Sequence, residues 1–369
     1  MFITDPEKLT KYASANRHWQ GIPSIEVTPR GRLFATLYSG GKTEQNGNFS
    51  VLLTSEDDGM SWSEPIAAAD VGEEERAYDS CLWIDPLGRL WYIWAVMPHN
   101  RIEYVLCPDP DAETLIWSEV REIPGDVMLN KPVVTEDGTW LFPTAVWKDH
   151  LTTGSAGGND GTKASGAHVY ATHDGGETFT HRGTVVARER WFDEHMLLPK
   201  SNGDLEMYIR TTYGVGKAVS HDGGFTFDPD TDSGFGGPNS RFYIGRLSSG
   251  NILLVNHHNF QKRDHLTAMI SRDEGKTFEG FLMIDERRDV SYPDVKEQNG
   301  HIYIIYDRER GAQYRPDRDY TASAREILFA KVTEADIFAG KLITPTSRLQ
   351  TIVSKLTPRA YSNDERFDT

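Results

Sequence analysis

Cysteine is almost absent from this chain: 369 residues contain two, Cys81 and Cys107. Two are too few for a disulfide scaffold, and each lies in an apolar, strand-like run (CLWI and YVLC) that reads as the site of a buried thiol. Long apolar runs are missing as well. No stretch approaches the roughly 18 consecutive apolar residues of a membrane-spanning helix, and MFITDP lacks the basic and apolar regions of a secretory leader. The chain as written is therefore expected in the cytoplasm, or in the periplasm or outside the cell if a leader has been trimmed, with no membrane partner. Basic residues are in deficit, 39 Lys and Arg against 55 Asp and Glu, for a net charge of −16. That charge repels phosphate backbones and argues against a nucleic-acid partner. No spaced His/Cys set suggests a metal: His257 and His258 are adjacent, and on a strand they would face opposite ways. No metal and no cofactor is expected.

Glycine and aromatic residues are plentiful, and the glycines are periodic. Six segments share one pattern, an alternating apolar run, a polar turn containing Gly, then a second apolar run. They read IPSIEVTPRGRLFATLY, DSCLWIDPLGRLWYIW, NKPVVTEDGTWLFPTAV, EHMLLPKSNGDLEMYIR, SRFYIGRLSSGNILLVN and YPDVKEQNGHIYIIYD. Their turn glycines, Gly31, Gly88, Gly138, Gly203, Gly250 and Gly300, are spaced by 57, 50, 65, 47 and 50 residues. Period-two alternation across a Gly turn predicts a hairpin, and repeats of this length predict propeller blades.

A second pattern, Ser/Thr-x-Asp-x-Gly-x-Ser/Thr-Trp/Phe, occurs at 55–62, 172–179, 220–227 and 271–278. An Asp accepting backbone N–H bonds beside a Gly at positive φ makes a compact turn. Asp57, Asp174, Asp222 and Asp273 are accordingly read as turn residues without a chemical role. The pattern is degenerate in the second unit (CPDPDAETLIWSE) and missing from the sixth. The predicted fold is all-β: one domain over 1–369, a six-bladed propeller of four-stranded antiparallel blades, with the N- and C-terminal segments closing the last blade. Two insertions, 152–166 and 308–323, interrupt the period and are candidates for shaping a pocket.

In a propeller the innermost strands converge on an axial channel. The six hairpins would bring Pro23 and Ser24, Asp79, Asn130 and Lys131, Glu194 and His195, Ser240 and Arg241, and Tyr292 and Asp294 to one mouth. Three segments there resemble the sialidase superfamily, the neuraminidase-type propellers with Asp-box (BNR) repeats. WFDEHMLLPKSNGDLEMYIRTTYG resembles the segment with a Glu and a downstream Arg, here Glu194 and Arg210. KRDHLTAMISRDEGKTF resembles the segment whose Arg precedes a box, here Arg263, and VSYPDVKEQNGHIYIIYD resembles the one with the tyrosine nucleophile, here Tyr292.

The resemblance implies a retaining exo-glycoside hydrolase acting on a glycan that ends in an acidic sugar, sialic acid or a relative. Tyr292 would attack, Glu194 would serve as its base, and Arg210 and Arg263 would hold the sugar carboxylate. The acid/base would be Glu44, on the loop after the first hairpin, with Asp79 as the competing carboxylate. His195, Lys131, Arg241 and Asp294 are further candidate substrate contacts. The sequence departs from the family at the first blade, where Arg-Ile-Pro becomes Gly21-Ile22-Pro23 and a third carboxylate-binding Arg is lost. Arg241, Arg76 or Lys131 are the candidates to replace it. Two other readings stand beside the hydrolase: a propeller lyase acting on uronic-acid glycans through Tyr292 or His195, and a carbohydrate-binding propeller without turnover.

Overall fold

The computed structural model describes residues 1–147, 164–258, 261–310 and 325–356. Most of the 152–166 insertion, and residues 311–323 of the second, lie outside the described residues. Each Gly-turn segment forms the first hairpin of a separate antiparallel sheet, and six such sheets make a six-bladed β-propeller. The innermost strands are Trp19–Val27, Arg76–Ile84, Val133–Val134, Met196–Pro199, Tyr243–Arg246 and Val290–Gln298. Five blades have four strands. The first has five, because Phe2–Ile3 pairs outside Ala67–Ala69. The C-terminal strand Arg348–Lys355 completes the sixth blade as expected, whereas the N-terminal strand joins the first blade and not the last. The N-terminal segment still helps close the ring, through side chains: Arg17 donates to Ser354, and Gln20 donates to the carbonyls of Arg325 and Ser354.

Alternating apolar residues of neighbouring sheets interdigitate to form the core between blades, as where Leu253 and Val255 meet Val295, Ile304 and Leu328. The boxes complete these joints. In all four, the Asp accepts from the backbone N–H and hydroxyl of the Ser/Thr four residues on, the hydroxyl bonds being 2.6–2.7 Å. The turn then presses on the preceding blade. Gly59 lies against the Phe329 ring and Gly176 against Trp91, positions at which a Cβ would collide. The two units without a box fill the same place by other means. In the second, Arg32 of the first blade donates to the carbonyls of Pro110 and Ala112. In the sixth, the helix Glu334–Ala339 lies on the fifth blade, with Arg272 over the Phe338 ring.

Three innermost strands share an irregularity that positions the site. Register slips between Gly21 and Ser24, Tyr78 and Cys81, and Ser291 and Asp294. At each bulge one non-glycine residue is left-handed: Ile22 at φ 51°, Asp79 at 46° and Tyr292 at 56°. Bulges re-aim side chains, and strained backbone of this kind collects at functional sites.

Candidate active site at the channel mouth

Tyr292, Glu194 and Arg210 meet as a closed triangle. The Tyr292 hydroxyl donates to Glu194 Oε1 at 2.8 Å, and Arg210 Nη1 donates to the same oxygen at 2.8 Å and to the phenol oxygen at 2.9 Å. Asn239 fixes Arg210 from behind, accepting from Nε at 2.6 Å and, through its carbonyl, from Nη2 at 3.1 Å. That carbonyl also accepts from Arg263 Nη2 at 3.1 Å. Arg263 lies over the Tyr292 ring at 5.4 Å and makes no ion pair among the described residues. A second guanidinium, Arg310, lies over the same ring at 4.5 Å.

Electrostatics divide the roles. Burial pushes the Tyr292 phenol up to about 12; Arg210, Arg310 and Arg263 pull it down against Glu194. The resting group is thus a neutral phenol donating to a carboxylate, which is the arrangement a base-assisted nucleophile needs. Burial also pushes Asp79 up to about 8, with Glu194 and Glu44 adding to the effect and Arg310 and Arg76 opposing it. Asp79 is 4% exposed and accepts no hydrogen bond among the described residues, so its carboxyl is protonated at neutral pH and available as a donor. Burial, joined by the Arg310 and Arg210 charges against Tyr292, lowers the Arg263 pKa, as befits a cation without a counter-anion.

Glu44 reaches the mouth as an ion-pair partner of Arg310, which also donates to Asp307 at 3.0 Å. Four other expected contacts lie deeper or are saturated. Lys131 donates to Ile25 O, Leu82 O and Glu26 at 2.6–2.9 Å. Arg241 is fully buried and bonds Asn130, Pro23 O, Leu129 O and Asp294. Asp294 also accepts from Ser24 Oγ and Ile25 N, and against the cost of burial Lys131 and Arg241 hold it below the usual carboxylate range. These three are bonded to one another and to the surrounding frame, beyond the bulge that separates Asp294 from Tyr292. His195 is buried between the carbonyls of Asp193 and His168, at 2.9 Å from each, tying the fourth blade to the third. Its expected contact with substrate is replaced by a structural one.

Arg310 and Asn239 were not among the sequence candidates. Arg310 belongs to the charged insertion 308–323, and Asn239 immediately precedes the hub residues Ser240 and Arg241. Among the described residues no group of three or more His, Cys, Asp or Glu side chains could hold a metal ion, and no helix is long and apolar enough to cross a membrane.

Fold and mouth together define a sialidase-type propeller, with a buried tyrosine–carboxylate pair ringed by arginines. The chain belongs to the BNR repeat-like domain family, whose profile matches residues 31–304, within the sialidase/BNR propeller superfamily. No curated protein matches the sequence significantly. Among solved structures, a Hadza microbial sialidase is similar at 17% identity and a TM-score of 0.62, over 79% of this chain and 64% of that one. A Dyadobacter fermentans protein of unknown function is 16% identical, with a TM-score of 0.60, over 80% of this chain and 92% of its own. Trypanosoma rangeli sialidase, solved with sialic acid, is 14% identical with a TM-score of 0.56 over 79% of this chain and 52% of its own. At these identities the likeness establishes the fold. The chain spans less than two thirds of the length of the Hadza and Trypanosoma sialidases.

Proposed function

We propose that the protein is a sialidase-like exo-glycoside hydrolase that releases a terminal acidic sugar with retention of configuration. The observation that carries this reading is the Tyr292–Glu194–Arg210 triangle, with its bonds of 2.8–2.9 Å. A sugar carboxylate docks on Arg263 and neighbouring cations by charge-assisted bonds. Beside that carboxylate, a neutral phenol avoids the repulsion an Asp or Glu nucleophile would meet at the anomeric carbon. Tyr292 passes its proton to Glu194 as its oxygen bonds to the anomeric carbon. Asp79, protonated in the resting site, gives its proton to the departing glycosidic oxygen. In the second step the Asp79 carboxylate takes a proton from water, whose oxygen displaces Tyr292, and Glu194 returns the proton to the phenolate. The raised pKa of Asp79 favours it over Glu44, which is held by Arg310.

The test is a panel of glycans ending in sialic or uronic acids, with products identified by mass. The reading predicts release of an intact acidic monosaccharide, one water heavier than the transferred residue. Unsaturated products absorbing in the ultraviolet would replace it with the lyase reading. Saturable binding with no product would replace it with the carbohydrate-binding reading.

A further inference from the structure

Gly21 and Arg310 fit one another across two blades. A Cβ built on Gly21 would overlap Arg310 Cδ and Cγ, so the arginine side chain occupies the space that a first-blade side chain would fill. Arg310 follows the sixth-blade strand His301–Arg308 and is anchored by its carbonyl, which accepts the Trp19 indole N–H at 3.0 Å. From there its guanidinium lies over the Tyr292 ring at 4.5 Å, and among the described residues it pairs with two carboxylates of different kinds. Asp307 is part of the frame: it is fully buried and also accepts from Ile22 N at 3.0 Å and Ser291 Oγ at 2.6 Å. Glu44 is not. It stands on the turn between Leu33–Gly40 and Phe49–Ser55, its side chain is 34% exposed, and among the described residues Arg310 is the group that holds it.

The other cations are in contrasting states. Arg210 spends all three nitrogens on Glu194, Tyr292 and Asn239. Among the described residues, the Arg263 guanidinium donates to one backbone carbonyl and lies over the Tyr292 ring. Among the described residues an incoming carboxylate therefore meets Arg263 and Arg76 without an ion pair, and at Arg310 a cation shared between buried Asp307 and the partly exposed Glu44. We propose that Arg310 is a substrate-carboxylate cation of this site, supplied from the sixth blade across Gly21, and that Glu44 is an internal anion that an acidic sugar displaces. This rests on the reading of the mouth as an acidic-sugar site. It gives Glu44 a competitive role in place of proton transfer, and it makes Arg310, and not the saturated Arg241 or Lys131, the replacement for the arginine missing from the first blade.

Competition sets the expected signs, because apparent affinity falls by the fraction of sites that Glu44 leaves open. Calorimetric titration with free N-acetylneuraminic acid and free glucuronic acid, on the wild type and on variants verified as folded by circular dichroism, tests the assignment. Glu44→Gln is expected to bind the better probe about tenfold more tightly, to leave its methyl ester unaffected, and to lower KM. Arg310→Gln is expected to weaken binding about 100-fold. Gly21→Ala, which displaces Arg310 without altering any charge, is expected to weaken it about tenfold or more. Misfolding cannot produce a gain, so Glu44→Gln remains decisive if Arg310→Gln does not fold. Unchanged or weaker binding by Glu44→Gln overturns the proposal and leaves the hydrolase reading standing. Failure of the wild type to bind either acid overturns both. The expected binding changes without turnover of any glycoside overturn the hydrolase reading alone.

Discussion

At the residue scale, one carboxylate gives the most specific pH prediction. Asp79 sits at about 8, raised chiefly by burial, so its proton-donating form predominates at neutral pH and is lost as pH rises through that value. kcat/KM should fall along a limb with a midpoint near 8, and Asp79→Asn should abolish that limb. The same variant should lose about 100-fold or more on glycosides with poor leaving groups and much less on aryl glycosides, whose departure needs little protonation. The sign for stability is opposite. A raised carboxyl pKa means that ionising Asp79 at high pH costs the folded state stability, so Asp79→Asn should raise the melting temperature at pH 9 while it slows turnover of glycosides with poor leaving groups. Equal losses on both leaving-group classes would return proton transfer to another group. Tyr292, Glu194, Arg210 and Arg263 were legible in the sequence because each stands in a motif at a strand end. Lys131, Arg241 and Asp294 look the same in sequence. What separates them is their partners: past the bulge at Tyr292, Asp294 is bonded to Ser24, Ile25 N and Arg241. Arg310 could not be read at all, because its place depends on a gap left by Gly21, nearly 300 residues earlier in the chain.

At the scale of elements, the boxes act as joints. Their aspartates Asp57, Asp222 and Asp273 are held down to about 2, first by the hydroxyls and backbone N–H groups of the box itself. A depressed carboxyl pKa contributes stability that is present above the unfolded value of about 4 and lost as pH falls toward 2. The melting temperature should therefore decline across that window, and a variant with Asp222→Asn should decline less steeply. Gly176→Ala probes the joint directly. Its φ of 91° and the Trp91 ring beneath it leave no room for a Cβ, so a loss of about 1–3 kcal/mol is expected in chemical denaturation. A loss within error would mean that the turn does not bear on the second blade. The box spacing was plain in sequence, whereas the joints of the second and sixth units were not. The turn at Asp109–Ala112 and the helix Glu334–Ala339 reach the same place without sharing a motif.

At the scale of the whole molecule, the glycine period specified six blades, since every spacing matches one sheet. Ring closure was less legible. Phe2–Ile3 is too short for its alternation to name a partner strand, and closure at the N-terminus runs through Arg17 and Gln20 instead. Gln20 is 1% exposed and donates to two backbone carbonyls of the sixth blade while accepting from Arg17 and Ser354. Gln20→Ala leaves these groups unpaired in a buried seam, and a loss of about 2–3 kcal/mol is expected in equilibrium unfolding. The mouth concentrates arginines in a molecule of net charge −16, a contrast that suits the acidic sugar of the proposed function.

On the proposed mechanism, Tyr292 forms a covalent bond to an acidic sugar. A fluorinated acidic glycosyl fluoride that slows the second step should add the mass of one glycosyl residue to the wild type, located by peptide mapping to Tyr292, and should add nothing to Tyr292→Phe. An adduct on another residue, or turnover of an accepted glycoside by Tyr292→Phe at the wild-type rate, would contradict the account.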